Sequence, residues 1–380
     1  MQLLFQTAQS ILSLVTDTLF AKYAVISRGS RGRCPGSRGP RSPKRAIRTR
    51  SFGNRFTRRL LIEVLYARLV MANEILVIPA PANVEFVDMG YDVDSDEVGI
   101  VGYVVGADKT ATLFEVNENQ DGFDTQVLAD LPGATGKAQV AGISSDASRI
   151  AGVSKSPGST SIGEGATWLR TAANSPTGVG FLSGFAKTSV MGGAWKDGVV
   201  GDCGGGGAAC KWSTSMPLTA LAGGAEAKDV SSDGSIMIGF SSHEVFNGAA
   251  YYWDSSGIHR LADTVAGFTL YQSIAYAVSP NGNNIGGYVA VEDNLVGVVR
   301  VLAAVWEGSD RTLRILKDKN GIDLEGVVFD ISDLGYAVGT LVEEDLTDRG
   351  FIWHSSFGAN VKVFEDWLSE KQVNYSPKSA

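Results

Sequence analysis

Short apolar runs recur along residues 84–368, each ended by a small or aromatic residue and set apart by polar turns. The clearest copy reads Val230-Ser231-Ser232-Asp233-Gly234-Ser235-Ile236-Met237-Ile238-Gly239, followed by Ala249-Ala250-Tyr251-Tyr252-Trp253. Runs of about five residues bounded by Ser, Asp, Asn and Gly predict strands. The Gly that closes the second run recurs at Gly102, Gly152, Gly201, Gly239, Gly287 and Gly339, at intervals of 38 to 52 residues. The aromatic of the third run recurs at Phe114, Trp168, Trp212, Trp253, Trp306 and Trp353. A fourth apolar piece follows each aromatic. Asp233-Gly234 and Asn281-Gly282 suit the two-residue hairpin turns that need φ > 0, and Asp146-Ala147 and Asp96-Glu97 hold the same slot with a less suitable second residue.

Six units of four short strands at this period predict an all-β, six-bladed β-propeller. Residues 84–90 resemble a fourth strand, and the expectation is that this N-terminal strand completes the last sheet and closes the ring. A seven-bladed ring that uses residues 74–79 is the alternative. The repeated Gly is read as room for a neighbouring sheet, and the repeated Trp as packing between sheets.

Charge divides the chain. Residues 1–70 carry a balance of +12 and the remaining 310 residues −20. The predicted domains are therefore a basic, disordered or non-native extension over 1–70 and the repeat domain over 71–380, with translation expected to start at Met71. The acidic repeat domain is a poor binder of phosphate backbones, so no nucleic-acid partner is expected for it. Residues 1–21 lack a basic start and Asp17 interrupts their apolar run, so a conventional secretion signal is not visible. No apolar stretch reaches the length of a transmembrane helix.

Chemistry-bearing residues are sparse. Cys203 and Cys210 flank a run of four glycines; if Gly201 faces Trp212 across that hairpin, Cys203 faces Cys210 and a disulfide can form, with two reduced thiols as the alternative. No metal site is expected: Asp92-Val93-Asp94-Ser95-Asp96 lacks the Gly and Glu of a helix–loop–helix calcium site. No nucleophile elbow, zinc pair or phosphate loop occurs, so no catalytic residue and no cofactor are assigned. The connections between second and third strands are the long ones, and function concentrates on such loops. The candidate ligand-binding residues are accordingly His243, Glu244, Glu292, Asp293, Glu343 and Glu344 on that face, with Asp345 and Asp348 in the same acidic rim. His259 and His354 fall on strands.

Ala227-Lys228-Asp229-Val230-Ser231-Ser232-Asp233-Gly234, Ala275-Tyr276-Ala277-Val278-Ser279-Pro280-Asn281-Gly282 and Leu128-Ala129-Asp130-Leu131-Pro132-Gly133 carry a resemblance to the HAF-type repeat family of extracellular proteins. Ala249-Ala250-Tyr251-Tyr252-Trp253 matches the namesake stretch without its His. The resemblance implies a propeller-like protein, secreted or at a surface, with no catalytic motif to transfer. Cytoplasmic and virion-associated locations stay open. The expected function is a monomeric, non-enzymatic binding scaffold for a protein or glycan. The alternative is a polysaccharide lyase or hydrolase that uses the long-loop face.

Overall fold

The computed structural model describes residues 70–71, 74–75 and 83–370, apart from 93–94, 96, 107–108, 117–121, 135, 157–162, 188, 206, 224–225, 242–247, 294–298 and 343–347. Residues 1–69, and with them almost all of the basic segment, lie outside the described residues. Six four-stranded antiparallel sheets follow one another along the chain, each built from four consecutive strands. Blade 1 holds Val84–Asp92, Glu97–Val105, Lys109–Val116 and Phe123–Val127. Blade 2 holds Gln139–Ile143, Arg149–Ser154, Glu164–Leu169 and Ala172–Gly180. Blade 3 holds Ser189–Trp195, Gly198–Cys203, Ala208–Ser213 and Met216–Ala220. Blade 4 holds Glu226–Val230, Met237–Ser241, Ala249–Asp254 and Gly257–Arg260. Blade 5 holds Phe268–Val278, Ile285–Asp293, Val299–Glu307 and Thr312–Ile315. Blade 6 holds Gly326–Ile331, Tyr336–Val342, Asp348–His354 and Lys362–Val363, and a helix over Phe364–Glu370 follows it.

The protein is thus a six-bladed propeller, but the expected closing strand is not one. Val84–Asp92 pairs with Glu97–Val105 as the innermost strand of blade 1, and blade 6 is completed by Lys362–Val363. A local hairpin outcompetes a pairing that would close a loop of nearly 300 residues, because loop closure costs entropy. Of the residues proposed for a seventh blade, 76–79 lie outside the described residues, and Glu74–Ile75 pairs with Val70–Met71 in a two-stranded sheet.

Every innermost strand bulges at one phase of the repeat. The pairing skips Val87, Ala141, Gly192, Lys228, Tyr276 and Phe329 in blades 1 to 6. A bulge bends the strand toward its partner, and the repeated Gly sits where it bends. A Cβ on Gly102 would lie 2.2 Å from the carbonyl oxygen of Glu85, and one on Gly201 would lie 1.9 Å from that of Val190. The close approach comes from the first strand of the same sheet, not from a neighbouring sheet as expected, because the bulge pushes a backbone carbonyl over the second strand.

The turns between first and second strands are also wider than two-residue hairpins in every blade but the third, where Trp195 pairs with Gly198 across Lys196-Asp197. In blades 2, 4 and 5 six residues separate the last paired positions. The Ser that opens each turn supplies the missing bonds. Ser231 Oγ donates to Asp233 (2.7 Å) and accepts from the Ile236 amide (3.0 Å), and Ser144 and Ser279 accept in the same way from Arg149 and Asn284. Gly234 and Gly282 take φ of 72° and 74° in these turns, whereas Ala147 takes 57° in the same slot.

Apolar cores lie between successive blades. Trp168 sits in the core shared by blades 1 and 2, Trp253 in that of blades 3 and 4, Trp306 in that of blades 4 and 5, and Trp353 in that of blades 5 and 6. All four are at most 3% exposed. The indole N–H groups of Trp168, Trp253 and Trp306 donate to the carbonyls of Ala129, Ala222 and Ala262, on the link leaving the preceding blade (2.8, 2.9 and 2.5 Å). Those three Trp residues therefore fill an interface and pin it, whereas the Trp353 N–H donates to the Gly358 carbonyl within blade 6 (3.0 Å). The remaining face of blade 1 has a cluster of its own, with Phe86 and Phe114 edge-to-face at 5.2 Å. The remaining face of blade 6 packs Val338 and Ile352 under Trp367 of the C-terminal helix.

Cys203 and Cys210 are joined by a disulfide, with their Cα atoms 6.0 Å apart. The register is shifted from the expected one: Gly201 pairs with Cys210 and Cys203 with Ala208, so the bridge runs diagonally. A shift of two residues keeps both side chains on one face of the sheet. The bond closes a loop of about eight residues, for which the chain-entropy relation gives about 2.5 kcal/mol. Replacing both cysteines by Ala should lower the unfolding free energy by that amount, read as a lower urea midpoint with an unchanged slope.

Candidate functional site

Most of the acidic rim expected on the long-loop face falls outside the described residues. His243, Glu244, Glu343, Glu344 and Asp345 lie outside them. Glu292 is exposed near the end of the second strand of blade 5, and Asp293 ends that strand. Asp348 begins the third strand of blade 6.

The other two histidines lie on strands, as expected, beside the turns between third and fourth strands: His259 within Gly257–Arg260 and His354 at the end of Asp348–His354. Asp254, Ser256 and His259 bring a carboxylate, a hydroxyl and an imidazole together. His259 Nε2 is 3.0 Å from Asp254 Oδ1 and 2.9 Å from Ser256 Oγ, and that hydroxyl donates to Asp254 (2.7 Å). A nucleophilic relay needs the acid and the hydroxyl on different ring nitrogens; here one nitrogen meets both. The cluster is a turn clasp. Hydrogen bonds from the Ser256 hydroxyl and amide, with a smaller contribution from His259, hold the Asp254 carboxyl down to about 2. His354 Nδ1 accepts from the Ser356 amide (3.1 Å), so the ring proton sits on Nε2, which donates to the Leu334 carbonyl (3.0 Å).

Three carboxylates stand just past the bulges, at Asp88, Asp229 and Asp330. Asp88 accepts from the Ile143 amide of blade 2 (2.8 Å), and Asp229 accepts from the Val278 amide of blade 5 (2.8 Å). Each also accepts the amide of the residue after it. Burial pushes Asp88 well above the usual carboxylate range, against the hydrogen bond from Ile143 and with the charges of Asp330 and Asp229 adding to the shift. Burial likewise raises Asp229 to about 6 against two backbone hydrogen bonds. Asp88 and Asp229 thus tie neighbouring blades together. Among the described residues no group of three or more His, Cys, Asp or Glu is placed to hold a metal ion.

The feature that departs from the repeat lies on the opposite, short-turn face. In blade 3 only four residues separate Ala194 from Val199, because Trp195-Lys196-Asp197-Gly198 replaces the Ser-opened turn. The shortened turn leaves a notch of about 240 Å³ beside the Ser231–Gly234 turn of blade 4. Trp195 occupies the place of the turn Ser, held between two glycines: a Cβ on Gly198 would lie 2.5 Å from its ring and one on Gly234 2.7 Å from its indole nitrogen. Arg149 of blade 2 fixes the short turn from behind. Its Nε donates to the Lys196 carbonyl (2.9 Å) and its guanidinium lies 5.8 Å from the centre of the Trp212 ring. Desolvation lowers the Arg149 pKa, and the carboxylates of Asp197 and Asp146 oppose that shift.

Trp212 breaks the pattern as well. It is half-buried and lines the notch, while the equivalent aromatics of the other five blades are buried. Among the described residues its indole N–H has no acceptor like those of Trp168, Trp253 and Trp306. Exposed Asp197 and Asp233 and half-buried Lys211 complete the polar lining. Desolvation raises the Asp233 carboxyl, but the hydrogen bonds from Ser231 and Ser235 together outweigh it and hold the group below its ordinary value. None of these residues stands out from the sequence by type. The available signal was that the third unit's turn, Trp195-Lys196-Asp197-Gly198, puts a Trp where Ser144, Ser231 and Ser279 open their turns and is two residues shorter than those turns.

No protein-family model and no curated protein matches the chain. Among solved structures it is similar to the β-propeller domain of the trilobed protease from Pyrococcus furiosus, described as having an open velcro topology. That likeness has 13% identity over 74% of this chain and 83% of that one, with a TM-score of 0.45. It is also similar to a putative TolB from Agrobacterium tumefaciens (15% identity, 67% and 85% covered, TM-score 0.40) and to TolB from Acinetobacter baumannii (13%, 63% and 55%, 0.38). Among the described residues no helix is long and apolar enough to cross a membrane.

Proposed function

We propose that residues 71–380 form a non-enzymatic binding propeller of the HAF-repeat type, working as a monomer at a surface or outside the cell on a glycan or protein ligand. One observation carries this reading: the repeated polar side chains are spent on the scaffold. The turn serines and acids close turns, the bulge acids Asp88 and Asp229 hold backbone amides of the next blade, and His259 and His354 brace hairpins. Ligand contacts then fall to positions outside the repeat, the notch between blades 3 and 4 first and the loops near Glu292 and Asp293 second. The Cys203–Cys210 bond supports an oxidising location, since such bonds persist outside the reducing cytosol. The full chain on a glycan array and in pull-downs should capture a ligand without converting it. Saturable hydrolysis or elimination of a polysaccharide would overturn this reading.

A further inference from the structure

We propose that the notch between blades 3 and 4 binds one neutral sugar ring; the inference rests on the binding reading above and specifies its ligand. Its size comes first. At about 240 Å³ the notch is below the range of roughly 300–1,000 Å³ for sites that enclose drug-sized molecules, so it suits a single ring at the end or side of a longer glycan.

Its chemistry comes second. The lining mixes Trp195 and the half-buried Trp212 with the hydroxyls of Ser213 and Ser215 and with charges of both signs, Asp197 and Asp233 against Lys211. Indole edges offer apolar contact to the C–H groups of a sugar, while carboxylates accept from its hydroxyls and Lys211 donates to them. An organic cation would find aromatic rings and acids here too, but Lys211 lines the cavity and the Arg149 guanidinium already lies 5.8 Å from the Trp212 ring. Two cations on one small site disfavour a third. An anionic ligand would meet Asp197 and Asp233. A polyhydroxylated neutral group answers the whole set.

Preorganisation comes third. Trp195 is wedged between Gly198 and Gly234, and the Lys196 carbonyl is held by Arg149. The walls therefore do not have to be ordered when a ligand arrives, which lowers the cost of binding.

Saturation-transfer NMR on the full chain, with glucose, galactose, mannose and N-acetylglucosamine as neutral probes and tetramethylammonium as the cation probe, tests the proposal. At least one neutral sugar should bind, with Kd on the order of 1 mM for a single ring. Ser215→Trp, from an exposed turn position, should fill the notch and weaken that binding by about tenfold or more without moving the thermal midpoint. Lys211→Met, which keeps the side-chain length, should weaken it by a smaller factor. Binding of tetramethylammonium in place of every sugar overturns the proposal. So does sugar binding that neither variant changes, although that result leaves the binding propeller standing with its ligand elsewhere. If the four sugars and the cation all fail while the array still captures a ligand, the notch assignment falls alone; if the array is also empty, the broader reading falls with it.

Discussion

Replacing Gly201 by Ala should cost about 3 kcal/mol of stability, the upper end of ordinary overpacking, and lower the urea midpoint accordingly. The new Cβ would lie 1.9 Å from the Val190 carbonyl oxygen and 2.7 Å from the Met191 Cα. Both are backbone atoms on a bulged strand, so no side-chain rotation relieves the clash. The strand would have to lose its bulge, which would disturb Met191, fully buried in the core between blades 2 and 3. Gly350→Ala is the control: its Cβ would meet only the Phe364 Cβ, at 3.6 Å, an ordinary contact. That variant should stay within about 0.5 kcal/mol of the parent, as surface-like changes do. Equal midpoints for the two variants would show that the bulge yields freely.

Stability should rise on mild acidification through Asp229, opposite to the usual behaviour of a carboxylate. In the folded protein this group titrates near about 6 rather than 3.8, because burial outweighs its hydrogen bonds from Val278 and Val230. The stabilisation it contributes is fully present below the unfolded value and is lost as pH rises through the folded one. A shift of about two units corresponds to about 3 kcal/mol between pH 3.5 and pH 7 for this group alone. Other acids work the other way: Asp254, Asp233 and Asp318 are held low by hydrogen bonds and lose stability in acid. The clean measurement is therefore a difference. The stability of Asp229→Asn minus that of the parent, followed by urea unfolding across this range, should grow as pH rises. A flat difference would mean that Asp229 titrates in the folded protein as it does in the unfolded chain.

The propeller was legible in the chain because its repeat is written in local chemistry. A Ser and an acid close a turn, a Gly clears a carbonyl and a Trp fills an interface, and each does so within its own unit or the next. The closing strand was misread because residues 84–90 show the same apolar pattern whether they pair with Glu97–Val105 or with the last sheet; only the entropy of loop closure separates the two. The Cys203–Cys210 contact survived a register misplaced by two residues because side chains in a strand repeat their face every second position. The bulges could not be read at all, since they are a property of backbone geometry and the skipped residues range from Gly192 to Phe329. The notch went unseen for a related reason: it is made by two turn residues that the third unit lacks, and a search for chemistry looks at residues that are present.

The order of strands has a bearing on how the protein is made. Among the described residues no sheet borrows a strand from a distant part of the chain. As the polypeptide leaves the ribosome, each blade can be finished when its own fourth strand emerges, and it offers its apolar face to the blade synthesised next. The propeller can then grow one sheet at a time, as stacked repeats do, and among the described residues no blade waits for a strand of a later one. On the sixth sheet the helix over Phe364–Glu370, with Trp367 laid on Val338 and Ile352, covers the apolar face that no described blade covers.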